Sequence, residues 1–242
     1  MIGGIILENK YGKFLKIEGT ETWQEALERL KKFCHEDLDE YEDDDGEIII
    51  TNFSEDFEDI FEISNLEKEE KLNEYEENYE VKIPKELREL MSNYGLFKIN
   101  GWGGGQSYLE IYNSKDECFP NIKKFTKGIE FNYGPYPLEY IPTEYLEILN
   151  EKCLFFGVFW PDPQKPEYLY FTPQGEFGIF SFDEGNIPNV IENSIKPILD
   201  NTQNKYSLDR LISTLINKTM LIMLEQSDVP VDEDLLELIF RS

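Results

Sequence analysis

The sequence has little of what most enzymes and secreted proteins use. Its 242 residues include a single histidine, His35, and three widely separated cysteines, Cys34, Cys118 and Cys153. No Cys-x-x-Cys pair occurs, so neither a disulfide framework nor a cysteine-rich metal site is predicted. Chains without a disulfide framework are typical of reducing compartments, and we therefore expect a cytoplasmic protein.

Apolar runs are short. No basic residue precedes the first of them, Ile5-Ile6-Leu7, so no secretion signal is predicted. Nowhere does an apolar run approach the roughly 20 residues that span a bilayer. We therefore expect neither a membrane segment nor a membrane partner.

Positive charge is scarce, with 23 Lys and Arg against 50 Asp and Glu. The formal net charge of -27 argues against nucleic acids and anionic membranes as partners, because both are polyanions. The same field would accelerate the approach of a cationic partner. An acidic surface also serves solubility, so the charge by itself leaves a binding role and a passive role open.

Aromatic residues are plentiful, since 17 Phe, 14 Tyr and 3 Trp are enough to build a core. The apolar patterns favour an α+β fold with a mostly antiparallel sheet and surrounding helices. We divide the chain into an N-terminal β/α extension packed on the main domain (1–63), an α+β main domain (64–204) and a C-terminal helical segment (205–242).

In the extension, the pattern predicts two strands, a helix, an acidic loop and a short strand, at residues 2–7, 14–17, 21–35, 36–47 and 48–50. Thr20 is placed to cap the helix. Trp23, Ala26, Leu27 and Leu30 recur at helical spacing, so the face that they form should be buried.

Two helices open the main domain. Ser64 and Glu67 form a capping pattern for the first, which reaches about residue 79. Pro84 is tolerated at the first position of the second, and Gly95 should end it.

Strands follow at 97–100, 108–112 and 153–160, and a hairpin has its strands at 168–171 and 176–182. The 153–160 run is nearly all apolar and should be buried on both faces. A C-terminal helix capped by Ser207 carries apolar residues to Leu224, Pro230 breaks it, and 232–240 forms a last helix.

The usual catalytic and metal-binding patterns are missing. Cys34 and His35 are too few ligands for a metal, and neighbours on a helix do not face each other as a nucleophile and its base must. Gly-x-Ser-x-Gly, His-Glu-x-x-His and Ser-x-x-Lys do not occur. We predict a binding protein with no catalytic residue, no metal and no cofactor, rather than an enzyme.

One acidic loop resembles a calcium loop only in part. Asp43 and Asp45 fit two ligand positions of an EF-hand around Gly46. Tyr41 and Asn52 stand where its first and last ligands belong, so no calcium site is predicted.

The loop Gly101-Trp102-Gly103-Gly104-Gly105 fails as a nucleotide loop. Gln106 replaces the last glycine of a dinucleotide fingerprint, and the lysine of a phosphate loop is missing. We interpret the loop as a tight turn or a site of close backbone approach. Trp102 either is exposed and anchors a partner, or folds back onto the core.

Acidic residues are concentrated between Glu36 and Glu80, where the only basic residues are Lys68 and Lys71. Aromatic residues lie among them, and this mixture complements a Lys- and Arg-rich surface such as a nuclease groove. A solvated charged face is the alternative. The candidate partner-binding residues are Asp43, Asp44, Asp45, Glu55, Asp56, Glu58, Asp59 and Trp102.

A short motif occupies residues 76–95, and its elements are Glu76 or Glu77, then Ile83-Pro84, then Glu86, Leu87 and Leu90. This motif resembles the opening of the SUKH superfamily, which includes the yeast Smi/Knr cell-wall regulators and many bacterial immunity proteins. Residues 109–112 and the hairpin that ends at Phe182-Asp183 resemble later strands of that family. Tyr94-Gly95 stands where the family often has Asn-Gly, and the resemblance covers roughly residues 64–200.

The resemblance implies an α+β fold whose activity is protein binding. Bacterial members are commonly immunity proteins that neutralise a toxin, often a nuclease, delivered by a neighbouring cell. We therefore predict an immunity protein that binds a basic toxin domain. A regulatory scaffold of the Smi/Knr type with no toxin partner and an unrecognised metal-dependent hydrolase are the alternatives, and the sequence leaves the oligomeric state open.

Overall fold

A computed structural model describes residues 12–15, 20–42, 48–52, 61–63, 69–94, 97–100, 107–111, 123–124, 141–161 and 165–226. Contacts within the chain form two compact units. The first unit combines Met1–Ile60 with Asp209–Ser242, and the second is Phe61–Leu208.

The described residues form helices and strands, grouped in short runs of one kind. The helices are α1 Trp23–Cys34, α2 Glu69–Tyr79, α3 Lys85–Glu89, α4 Thr143–Lys152, α5 Ile187–Val190, α6 Lys196–Asp200 and α7 Leu208–Gln226. Short 3-10 turns occupy Gly12–Phe14 and Glu184–Asn186, and π-helical turns extend α3 over Leu90–Tyr94 and link α5 to α6 over Ile191–Ile195.

The strands are β1 Asp37–Glu42, β2 Ile48–Asn52, β3 Phe61–Ile63, β4 Phe97–Asn100, β5 Ser107–Ile111, β6 Lys123–Lys124, β7 Leu154–Phe159, β8 Glu167–Phe171 and β9 Phe177–Ser181. Every pairing among them is antiparallel. Helices beside an antiparallel sheet confirm the predicted α+β class.

In the first unit, α1 and its cap begin two residues later than predicted. Thr22, not Thr20, is the cap: its hydroxyl accepts the Glu25 N–H at 3.3 Å, and the Glu25 carboxylate accepts the Thr22 N–H at 2.8 Å. This reciprocal pair satisfies two helix-end donors at once, which no residue three positions after Thr20 can do. The predicted apolar face is confirmed, since Trp23 and Leu27 on it are buried.

The predicted acidic loop 36–47 is partly wrong, because β1 lies inside it. β1 pairs with β2 in a two-stranded sheet, with Asp37 opposite Asn52 and Glu42 opposite Ile48. The partner strand supplies the backbone hydrogen bonds, and this pairing outweighs the poor strand propensity of Asp and Glu. The predicted strand at 48–50 is confirmed and extends to Asn52.

The predicted strand at 14–17 is also wrong at its start. Phe14 ends a 3-10 turn, and its ring packs edge-on against Phe33 with centroids 5.7 Å apart. Burial of the ring against α1, together with a hydrogen bond to the Phe14 carbonyl, favours the turn over an extended backbone. The predicted strand at 2–7 and the end of this one lie outside the described residues.

A buried polar network joins α1 to α7 within the first unit. The Arg29 guanidinium forms a two-pronged ion pair with Glu21 and donates to the Phe14 carbonyl at 2.6 Å and to Asn217 Oδ1 at 2.9 Å. The Ser213 hydroxyl donates to Glu21 at 2.5 Å. Only 7% of the Arg29 side chain and 9% of the Glu21 side chain are exposed, so each charge depends on the other.

The second unit is built on a seven-stranded sheet with the order β3-β4-β5-β7-β8-β9, and β6 pairs with another part of β7. All six residues of β7 are buried, which confirms the prediction of a central strand covered on both faces. The predicted strands at 97–100 and 108–112 and the β8–β9 hairpin are also confirmed, with shifts of one residue at some ends.

The hairpin uses glycine twice for distinct reasons. Gly175 has a φ of 83° in the turn, where its N–H donates to the Thr172 carbonyl at 2.8 Å. Gly178 lies opposite Tyr170 in the register, and a Cβ there would overlap the Tyr170 ring. The first glycine permits the turn, and the second makes room for a buried aromatic ring.

One side of this sheet is covered by α4 and by the α5–α6 segment. Phe155 contacts Tyr168 and Tyr170 edge-on, at centroid distances of 5.6 and 6.2 Å. Leu149 of α4 and Ile198 of α6 belong to the same buried cluster. Part of the aromatic core predicted from composition therefore lies between this sheet and these helices.

Candidate partner-binding site

The eight predicted partner-binding residues lie outside the described residues. They are Asp43, Asp44, Asp45, Glu55, Asp56, Glu58, Asp59 and Trp102. The described remainder of the acidic segment 36–80 includes α2 and the residue that follows it, in the second unit. The structure shows how the acidic side chains of the segment are arranged on this helix.

Glutamates occupy one side of α2 at regular spacing. Glu70, Glu74 and Glu77 recur at four and three residues, so they share one helix face with neighbouring Cβ atoms about 5–6 Å apart. Glu80 follows three residues later, just beyond the helix, with a left-handed φ of 52°. All four side chains are exposed, and we name this set the carboxylate stripe.

Within the described part of the chain, no member of the stripe forms an ion pair or hydrogen bond through its carboxylate. The single basic residue of α2 is Lys71. Like charges at this spacing destabilise a helix by roughly 0.2–0.5 kcal/mol per pair. The stripe therefore carries a small stability cost, which a cationic partner would relieve.

A face of α2 next to the stripe is held by Arg88 of α3. The guanidinium lies 3.0 Å from Glu76 Oε1 and also forms an ion pair with Glu69. Glu76 Oε1 accepts the Ile83 N–H at 2.9 Å. These bonds join α2 to α3 and to the connection between them, so they help to set the position of the stripe relative to α3.

The environment of Glu76 favours its charged form. Burial acts to raise the pKa of this carboxyl, but the hydrogen bonds from Arg88 and Ile83 and the charges of Arg88 and Lys82 outweigh burial. The pKa of Glu76 is therefore held below its usual value. Glu76 is an anionic anchor within the fold, and its side chain is only 14% exposed.

A shallow groove of about 480 Å³ runs along the end of α2. Its lining includes Glu76, Glu77, Glu80 and Lys82. Lys82 is 89% exposed and 3.5 Å from Glu76, so it screens this end of the groove only weakly. The groove is acidic and open, as a surface that receives Lys or Arg side chains should be.

The residues of the SUKH-like motif serve the local fold. Ile83, Leu87 and Leu90 are buried, and Glu76 closes the turn before Pro84. Arg88 was not predicted as a site residue, although its positive charge eight residues beyond the acidic segment was the available signal. The stripe was also missed as a set, and its four- and three-residue spacing was the signal for it.

The Cys34–His35 pair is split between two environments. Cys34 is fully buried, and burial raises the pKa of its thiol to about 12. His35 is exposed at the end of α1, with Nδ1 2.8 Å from the Lys31 carbonyl oxygen. A neutral buried thiol beside an outward-facing imidazole does not form a nucleophile and base.

Two further findings concern the described residues only. They contain no group of three or more His, Cys, Asp or Glu side chains arranged to hold a metal ion. Their helices include none with the length and apolar character needed to cross a bilayer.

No protein-family model matches the chain, and no curated protein or solved structure matches it significantly. The SUKH resemblance therefore stays a prediction from residues 76–95.

Proposed function

We propose that this protein binds a basic partner protein through the carboxylate stripe and the adjoining groove, and that it acts as an immunity protein against a basic toxin domain. The observation that carries the proposal is the side-by-side placement of four exposed glutamates that no described cation neutralises. Two arginine contacts tie the adjoining face of the same helix to the fold, so the stripe is presented on a fixed element.

Charge supports this partner class over others. The chain carries a net charge of -27, which opposes nucleic acids and anionic lipid surfaces and steers cations toward it. The eight acidic and aromatic residues predicted from the sequence lie outside the described residues and stay a prediction. A toxin of the nuclease type fits this chemistry, because a nuclease groove must be basic to hold a polyanion.

The immunity role is tested by co-expression. The product of the gene that adjoins this one is expressed alone, with this protein, and with the variant Glu74→Gln/Glu77→Gln. We expect growth arrest by the neighbour alone, rescue by the native chain and a weaker rescue by the variant. Rescue would be accompanied by co-purification of the two proteins at low salt and by their separation at high salt.

The control variant is Glu144→Gln/Glu147→Gln on α4. It removes two exposed glutamates at the same spacing of three residues, and therefore the same net charge, from a different helix. It should rescue as well as the native chain. Equal loss of rescue in both variants would show that only total charge matters, and an adjoining product that neither arrests growth nor binds would contradict the immunity role.

A further inference from the structure

A second cavity lies in the second unit, at the end of the layer between the sheet and its covering helices. Its volume is about 390 Å³. Thr172 and Glu176 from the β8–β9 turn line it, and so do Lys152 at the end of α4 and Gln203 and Lys205 after α6. The volume falls within the range of about 300–1,000 Å³ that is usual for small-molecule sites.

The cavity differs from the rest of the chain in its charge balance. Glu151 and Glu176 contribute two carboxylates, and Lys152 and Lys205 contribute two ammonium groups. The chain as a whole has 50 acidic residues against 23 basic ones. A lining with equal charges of both signs suits a ligand that carries both signs, whereas the carboxylate stripe suits a cation.

The two lysines are positioned by the fold. Lys152 Nζ donates to the carbonyl oxygens of Leu199 at 2.7 Å and Ile198 at 3.3 Å, near the end of α6. Lys205 Nζ donates to Glu176 at 2.8 Å. Each ammonium has three protons, so Lys152 retains one and Lys205 two for a ligand carboxylate.

Two buried polar atoms at this end of the sheet form no hydrogen bond with the described residues. Gln203 lines the cavity, and its Oε1 is buried and accepts no hydrogen bond from the described residues. Tyr170 is two residues before Thr172, so the two side chains lie on the same face of the sheet. The buried hydroxyl of Tyr170 also has no hydrogen-bond partner among the described residues. A buried acceptor without a hydrogen bond lowers the stability of the fold unless a donor reaches it.

We propose that this cavity binds a small zwitterion of the free amino-acid type. The ligand ammonium would donate to Gln203 Oε1 and the Glu176 carboxylate, and the ligand carboxylate would accept from Lys205 and Lys152. This site and its ligand are independent of the proposed partner and of the carboxylate stripe.

The test uses the full chain and the twenty free L-amino acids, each titrated separately and followed by saturation-transfer NMR and calorimetry. At least one should bind saturably, with a Kd of about 1 mM or tighter. Acetate carries only the carboxylate of such a ligand, and methylammonium carries only its ammonium group. Each should bind at least about tenfold more weakly than the amino acid. No saturable binding by any amino acid, or equal binding by either half, would overturn the proposal.

The variant Gln203→Leu removes the acceptor and keeps the side-chain size. It should weaken the bound amino acid about tenfold without lowering the unfolding temperature of the unliganded protein, because replacing an unpaired acceptor by an apolar group is nearly neutral. Gln24→Leu makes the same change at an exposed position of α1 and should leave binding unchanged. Binding that survives Gln203→Leu would contradict the assignment.

Discussion

Glutamates of this protein occupy two contrasting environments. Glu21 and Glu76 each lie against an arginine and are at most 14% exposed. The carboxylate stripe on α2 is exposed and has no cationic partner in the described residues. Glu21 and Glu76 therefore stabilise the fold, whereas the glutamates of the stripe can bind another molecule. Burial and the neighbouring arginine account for this difference in role.

The comparison predicts that the largest stability loss follows removal of Arg29. Arg29→Met leaves Glu21 charged and buried, so the free energy of unfolding should fall by about 3–5 kcal/mol in urea titrations. The double variant Glu21→Leu/Arg29→Met replaces the pair by apolar groups and should recover most of that loss. A single variant as stable as the native chain would show that the network contributes nothing.

Glu76→Gln should have the next largest effect. It removes the charge that Arg88 and the Ile83 N–H stabilise, and should lower the free energy of unfolding by about 1.5 kcal/mol at neutral pH. Glu89→Gln on the neighbouring helix, where Glu89 is 52% exposed, is the matched control and should change little.

The pH dependence of that loss follows from the lowered pKa of Glu76. Its contribution is fully present above the ordinary value of 4.5 and is lost as pH falls from there through the lower folded pKa. The difference between the native chain and Glu76→Gln should therefore shrink below pH 4.5 in acid titrations of stability. A difference that stays constant to low pH would contradict the account of this anchor.

Glu25 is an intermediate case, because it is exposed but bonded. Thr22→Ala removes the cap of α1 and should cost about 1 kcal/mol. Thr20→Ala, at the cap first predicted, should cost less than half of that. Thermal unfolding of the two variants separates them, and a larger effect at Thr20 would reverse the assignment.

The smallest stability effect is expected at the stripe. Glu74→Gln/Glu77→Gln should change the free energy of unfolding by no more than about 0.5 kcal/mol, in the stabilising direction, because it relieves like-charge repulsion on α2. A large destabilisation, measured by urea titration, would show that the stripe belongs to the fold and would remove it as a binding surface.

Local and periodic patterns predicted most of the described fold. The apolar run of β7 and the Gly175 turn were sufficient for the central strand and its hairpin. The spacing of Thr22 and Glu25 also fits a capping pair, although Thr20 was the predicted cap of α1. The β1 strand could not be predicted from its own residues, since pairing with β2 decides it.

Long-range polar contacts were beyond the sequence. Arg29 and Asn217 are 188 positions apart, and nothing local in either residue predicts their contact. Gln203 likewise became a candidate only when the turn of the hairpin and the end of α6 were seen to line one cavity. The acidic segment was found from composition, but which of its glutamates are free depended on the position of Arg88.

The most direct test of the central claim is the affinity of the adjoining gene product for the two matched double variants, measured by calorimetry at low and high salt. Exposed charge pairs contribute roughly 0.2–1 kcal/mol each, so Glu74→Gln/Glu77→Gln should weaken binding by about two- to thirtyfold at low salt. Glu144→Gln/Glu147→Gln should bind like the native chain, and the gap between them should narrow at high salt. Equal affinities for both variants, unaffected by salt, would contradict binding through the carboxylate stripe.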